Sequence, residues 1–125
     1  MGKRRVMVVD DEEDFTMMLK MNLEQTGQYE VLALSSAKDI VSKVKDFKPD
    51  IILLDLLMPE VGGIEACQML NEDPVGNRVP IIALSALDKD ADKLKAYKVG
   101  IVDYLTKPAQ TETIVKTIEK ALKFK

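Results

Sequence analysis

A chain of 125 residues with 46% hydrophobic and 31% charged side chains has the make-up of one folded domain with one core, and is too short for two. No apolar run approaches the roughly 20 residues of a membrane-spanning helix. Eighteen Lys and Arg against 21 Asp and Glu give a net charge of −3 with no clustered basic face, which argues against direct nucleic-acid binding and membrane association.

The first segment, "MGKRRV", begins with the Met-Gly of an acylation signal but has Val6 where Ser or Thr is required, and no apolar leader follows, so the cytoplasm is the expected compartment. "VMVV" (6–9) reads as a strand, and Phe15, Met18, Leu19 and Leu23 then recur at helical spacing up to Gly27. "YEVLALS" (29–35) is a second strand, followed by a helix with Ser36 and Asp39 as a capping box and Ala37, Ile40, Val41 and Val44 facing inward. "DIILLD" (50–55) is the third strand, and Ile64, Cys67 and Leu70 mark a helix after Gly62-Gly63. "PIIALS" (80–85) is the fourth, leading to a charged helix through Leu94. "VDYL" (102–105) is a short fifth strand, and Ile114, Val115, Ile118, Ala121 and Leu122 stripe the last helix.

Five β-α repeats predict a doubly wound α/β domain over residues 1–125, with helices on both faces of a five-stranded parallel sheet. Strands one, three and four are solidly apolar, as strands buried on both faces must be, while two and five suit edges. The order 2-1-3-4-5, that of flavodoxin-like folds, satisfies both, and ligands then gather at the carboxyl ends of strands one and three.

The conspicuous polar residues fall at those ends. Strand one runs into Asp10-Asp11, strand three into Asp55, strand four into Ser85, and strand five stops just before Lys107-Pro108. At about 4 Å and an effective dielectric near 20, like charges repel by roughly 4 kcal/mol, so converging carboxylates call for a cation among them. The chain has no His, and its single Cys67 reads as a buried apolar residue, so any ligands are hard oxygens suited to Mg²⁺ or Mn²⁺. A divalent ion, an ammonium and a hydroxyl together would stabilise a phosphoryl group in transfer, with Asp55 as nucleophile.

"VVDDEED" (8–14), "LLDLLMPEVGGIE" (53–65), "PIIALSA" (80–86) and "VGIVDYLTKP" (99–108) resemble the receiver domain of two-component response regulators, in order and spacing, over essentially the whole chain. The resemblance implies that Asp55 accepts a phosphoryl group from a phosphohistidine on a sensor histidine kinase or phosphotransfer protein. It implies that Asp11 binds Mg²⁺ directly, Asp10 mainly through water, and Leu57 through its backbone carbonyl, with Asp55 also on the metal. Ser85 and Lys107 would each hold a phosphoryl oxygen, Lys107 across a Lys-Pro bond that is typically cis in the family. Tyr104 stands at the switch aromatic, and the fourth helix, fifth strand and fifth helix would carry the signal to a downstream protein or an output domain beyond Lys125. The same surface is a candidate dimer contact. By this resemblance the protein is a switch that catalyses only its own phosphorylation and dephosphorylation.

Gly62 replaces a frequent Asp of the family, which implies an altered loop. Leu57 and Leu87, two residues past Asp55 and Ser85, stand where polar groups can position the hydrolytic water, and imply a long-lived phosphoaspartate. Taken singly, each residue has a structural explanation: the acidic run can complement a helix dipole, Ser85 can cap a helix, and Lys107-Pro108 can form a turn. Two rival functions share part of the pattern. A haloacid-dehalogenase-like phosphatase also uses an aspartyl phosphate, but needs its nucleophile on the first strand with a second acid two residues on, where this chain has Leu57. A receiver-like interaction module would keep the fold without being phosphorylated.

Overall fold

The computed structural model describes residues 2–123. Met1, the head of the acylation-like Met-Gly, and the last two residues of the expected 1–125 domain lie outside the described residues. Five strands, β1 (Arg4–Val9), β2 (Tyr29–Leu34), β3 (Ile51–Leu54), β4 (Ile81–Ser85) and β5 (Asp103–Thr106), alternate with α1 (Glu13–Gln25), α2 (Ile40–Phe47), α3 (Gly63–Asn71), α4 (Asp90–Lys98) and α5 (Thr111–Lys123). Every pairing is parallel and the order is β2-β1-β3-β4-β5, as the apolar character of the strands predicts.

Side-chain alternation along the strands splits the interior into two cores. Met7, Val9, Ile52, Leu54, Ile81 and Ala83 pack on one face with Ile40 and Val44 of α2, Ala66, Cys67 and Leu70 of α3, and Ala96 of α4. Val6, Val8, Ile51, Leu53, Ile82 and Leu84 pack on the other with Leu19 and Leu23 of α1 and Ile114, Ile118 and Leu122 of α5. Fully burying each such aliphatic side chain contributes about 1.5–3 kcal/mol, which is what holds the strand ends in fixed positions.

Several local expectations shift. Ser36 does not form the capping box: its hydroxyl accepts from Lys38 N–H in a short turn, and α2 begins only at Ile40 with no side-chain cap at Asp39. Met18, which recurs at helical spacing with Leu19 and Leu23, is half exposed, as are Met17 and Met21, because the helix buries a narrow stripe through Thr16, Leu19 and Leu23. Leu94 is also exposed, leaving Ala96 as the buried residue of α4. Tyr29, read as the start of an edge strand, is buried, with its hydroxyl donating to the Glu119 carboxylate of α5. Strand limits differ from those expected by one residue at most ends.

Candidate functional site

Register places the polar residues side by side. Val9 of β1 lies opposite Leu54 of β3, so the next residues, Asp10 and Asp55, leave adjacent strands together. Their backbones stay in the ladder, Asp55 N–H donating to Val9 O at 2.9 Å and Asp10 N–H to Leu34 O at 3.0 Å. Ser85 ends β4 opposite Thr106, and Lys107 N–H donates to its carbonyl at 2.8 Å, fixing the root of the lysine. The Lys107-Pro108 bond is cis.

Carboxylate oxygens of Asp10, Asp11 and Asp55 come within 4.8 Å of one another. Asp10 and Asp55 are buried, at 2% and 4% exposure, whereas Asp11 faces solvent. The Lys107 ammonium lies among them, 2.5 Å from Asp10 Oδ2 and 3.5 Å from Asp55 Oδ2. Burial pushes the Asp10 carboxyl above the usual carboxylate range, against the pull of its hydrogen bonds from Lys107 and Glu12 N–H. Burial works to lower the Lys107 pKa, but hydrogen bonds to Asp10 and Glu12 and the charges of Asp10 and Asp55 raise it, so the ammonium stays protonated. One buried cation shared by several acids leaves net negative charge at the strand ends, which a second cation would offset.

The donor set fits a hard divalent ion. Oxygens sharing an octahedral ion at about 2.1 Å are separated by roughly 3–4.2 Å, so the 4.8 Å spread of the three aspartates closes with small side-chain rotations. Leu57 N–H donates to Asp55 Oδ1 at 3.1 Å, leaving Oδ2 toward Lys107.

Ser85 is fully buried, and its Oγ accepts from Leu87 N–H at 3.3 Å. Tyr104 is half-buried; its hydroxyl donates to Leu87 O at 2.5 Å, and the Lys93 ammonium lies 5.8 Å from its ring centre. Burial raises the phenol pKa, the Ser85 hydroxyl lowers it, and the charges of Asp92, Asp55 and Asp88 raise it further. Ser85, Leu87 and Tyr104 therefore form one continuous path from the strand ends to α4.

Three contributors were not assigned to the site from the sequence. Glu12 Oε1 is 2.9 Å from Lys107 Nζ, and the Phe15 ring centre is 4.7 Å from the same nitrogen. Both sit one helical entry away from Asp10, a proximity the "DDEEDF" run contains without announcing. Gly63, noted as a helix start, has a sharper role: a Cβ there would lie 2.6 Å from both Asp55 O and Leu56 Cα. The absent side chain lets α3 press against the loop that carries Asp55.

The model of the response regulator receiver domain matches residues 6–119. The chain belongs to the response regulator receiver family. It is 35% identical to Protein PilH of Pseudomonas aeruginosa over 118 residues, covering 94% of this chain and 97% of that one. It is 34% identical over 120 residues to the alkaline phosphatase synthesis transcriptional regulatory protein PhoP of Bacillus subtilis, and 37% over 123 residues to that organism's transcriptional regulatory protein YvrH. These alignments cover 96% and 98% of this chain but 49% and 51% of the relatives, so the receiver spans about half their length. Among solved structures, the Vibrio cholerae chemotaxis protein CheY4 superposes with a TM-score of 0.89 at 26% identity, covering 95% of this chain and 98% of CheY4. The BeF3-activated DrrB receiver domain gives 0.84 at 25%, over 98% and 99%.

Membership makes this a two-component phosphorelay protein, and receivers are phosphoacceptor switches rather than turnover enzymes. Receivers bind Mg²⁺ at an acidic pocket and interact with histidine kinases or phosphotransfer proteins. The phosphatase alternative is not favoured: Asp55 follows the third strand, not the first, and the neighbours are receivers. Among the described residues no helix is long and apolar enough to cross a membrane.

Proposed function

We propose that Asp55 is the phosphoryl acceptor, in a single receiver over residues 1–125 acting in the cytoplasm. The observation that carries this is the buried Asp55 carboxylate, with Lys107 Nζ 3.5 Å from one oxygen and the Asp10 and Asp11 oxygens within 4.8 Å. An Asp55 oxygen attacks phosphorus of a phosphohistidine on the partner; the new P–O bond forms as the P–N bond breaks, and the electron pair leaves with the imidazole nitrogen, which takes up a proton. These 125 residues contain no histidine, so the donor phosphohistidine lies outside this receiver. Lys107 and Ser85 hold the phosphoryl oxygens, the first by charge and the second by its hydroxyl. Asp10, Asp11, Asp55 and the Leu57 backbone carbonyl hold Mg²⁺, or Mn²⁺ in its place. Bound there, the ion neutralises charge on the phosphoryl oxygens. In self-dephosphorylation, water attacks phosphorus, the bond to Asp55 breaks, and the carboxylate and inorganic phosphate are restored.

Ser85 turning toward the phosphoryl group draws on the Leu87 loop that holds the Tyr104 hydroxyl, so Tyr104 is the switch aromatic. The face of α4, β5 and α5 carries the readout, with Leu94, Tyr97 and Val102 as exposed apolar side chains for a downstream protein, an output domain or a second copy.

Incubation with acetyl phosphate and Mg²⁺ tests the acceptor. One equivalent of a base-labile adduct, lost in Asp55→Asn and on chelation, supports the reading. Catalytic turnover of many equivalents would indicate a phosphatase, and no adduct an interaction module.

A further inference from the structure

The acids around Lys107 are not equivalent. Asp10 is buried and bonds the ammonium at 2.5 Å, and its other oxygen accepts Glu12 N–H at 2.9 Å, so it has no room to leave. Asp55 is buried but at 3.5 Å, an ion pair beyond the normal hydrogen-bond range. Glu12 bonds the ammonium at 2.9 Å while its side chain is 63% exposed, against 11% for Lys107. The Phe15 ring covers the ammonium at 4.7 Å. Of the groups that hold the lysine, Glu12 is the one that water can rehydrate on release.

We propose that Glu12 is a positioning residue for phosphoryl acceptance: it holds the Lys107 ammonium on Asp10, outside hydrogen-bond reach of Asp55, until an incoming phosphoryl group displaces it. This rests on Asp55 being the acceptor. A phosphoryl group on Asp55 needs the ammonium within hydrogen-bond distance of one of its own oxygens, and the exposed carboxylate is the partner that yields. Glu12 thereby sets a threshold, since a donor must outcompete an acid already in place. Its own charge also opposes the approach of an anionic donor.

The test compares Glu12→Gln with Glu13→Gln, which removes an equal charge one residue along α1 from a side chain exposed to solvent. With acetyl phosphate and Mg²⁺, Glu12→Gln is expected to raise the apparent second-order rate of adduct formation by about 3–10-fold, while Glu13→Gln stays within about twofold of the unmodified protein. In a crystal structure of Glu12→Gln without divalent ions, Lys107 Nζ is expected within about 3 Å of an Asp55 oxygen. Equal acceleration by both variants would mean diffuse charge rather than positioning. An unchanged or slower Glu12→Gln, or an ammonium still 3.5 Å from Asp55 in its structure, would also overturn the proposal. In those cases the unmodified protein still forms its adduct; if it forms none, the acceptor assignment itself fails.

Discussion

Replacing Asp55 by Asn should stabilise the protein without divalent ions while abolishing its response to them. The Asp55 charge lies within 4.8 Å of the buried Asp10, a repulsion of about 3.5 kcal/mol at an effective dielectric of 20, and solvent-screened Asp11 adds about 1 kcal/mol. Attraction to Lys107 at 3.5 Å is about 4.7 kcal/mol on the same scale, so the pairwise energies nearly cancel. What remains is the cost of keeping a carboxylate at 4% exposure, several kcal/mol for an ion and much less for a neutral amide. The Asn oxygen can still accept Leu57 N–H, and Lys107 keeps Asp10 and Glu12, so no buried charge is orphaned. A net gain of about 1–3 kcal/mol follows, or about 3–10 °C in Tm for a domain of this size. Mg²⁺ at ten times its Kd should add about 1.4 kcal/mol to the unmodified protein and little to the variant. Thermal unfolding followed by circular dichroism, with and without MgCl₂, measures both effects. A variant less stable than its parent in chelator, or stabilised equally by Mg²⁺, would refute the electrostatic account of the site.

Gly63→Ala would place a Cβ 2.6 Å from Asp55 O, so urea unfolding should show a loss of about 1–3 kcal/mol and adduct formation should slow; a neutral substitution would show that the loop can shift freely. Leu57, 52% exposed beside Asp55, offers water no polar group, so Leu57→Asn should shorten the phosphoryl lifetime several-fold, and an unchanged lifetime would remove that explanation. Burial pushes the Cys67 thiol up to about 11 from 9.0, so it should resist thiol reagents at pH 8 in the folded state. Because the folded pKa is the higher one, its contribution is intact below pH 9 and is lost as pH rises through 11, about 2–3 kcal/mol in all; Cys67→Ala should flatten that part of the stability profile.

The sheet order and the convergence of Asp10, Asp55, Ser85 and Lys107 were legible because both follow from backbone rules. Solid apolar runs identify central strands, and parallel register brings residues one past the strand end together whatever their side chains are. Side-chain choices among equivalent neighbours were not legible. The acidic run from Asp10 to Asp14 offers several carboxylates, and only the path of the chain into α1 decides that Glu12 reaches Lys107. Similarly, Ser36 and Asp39 have the spacing of a capping box, but the Ser36 hydroxyl accepts from Lys38 N–H in a short turn and α2 starts downstream, at Ile40. Met18 recurs at helical spacing with Leu19 and Leu23 but lies beside the inner stripe, half exposed, where a flexible Met is tolerated.

The same uneven burial indicates which element is free to respond. α5 is anchored by Ile114, Ile118 and Leu122, each worth about 1.5–3 kcal/mol, whereas α4 buries Ala96 and leaves Leu94 and Tyr97 in solvent. Its neighbours tie it to the site through polar contacts, with Lys93 over the Tyr104 ring and the Tyr104 hydroxyl on Leu87 O. An element held by so little apolar area opens locally at a free energy well below that of global unfolding. Native-state hydrogen exchange should therefore find α4 amides protected at least about 100-fold less than those of α5, a difference of about 2.7 kcal/mol. Equal protection in the two helices would mean that α4 is held by interactions other than burial. A signal from Asp55 would then have to move a rigid surface instead of biasing a loosely held one.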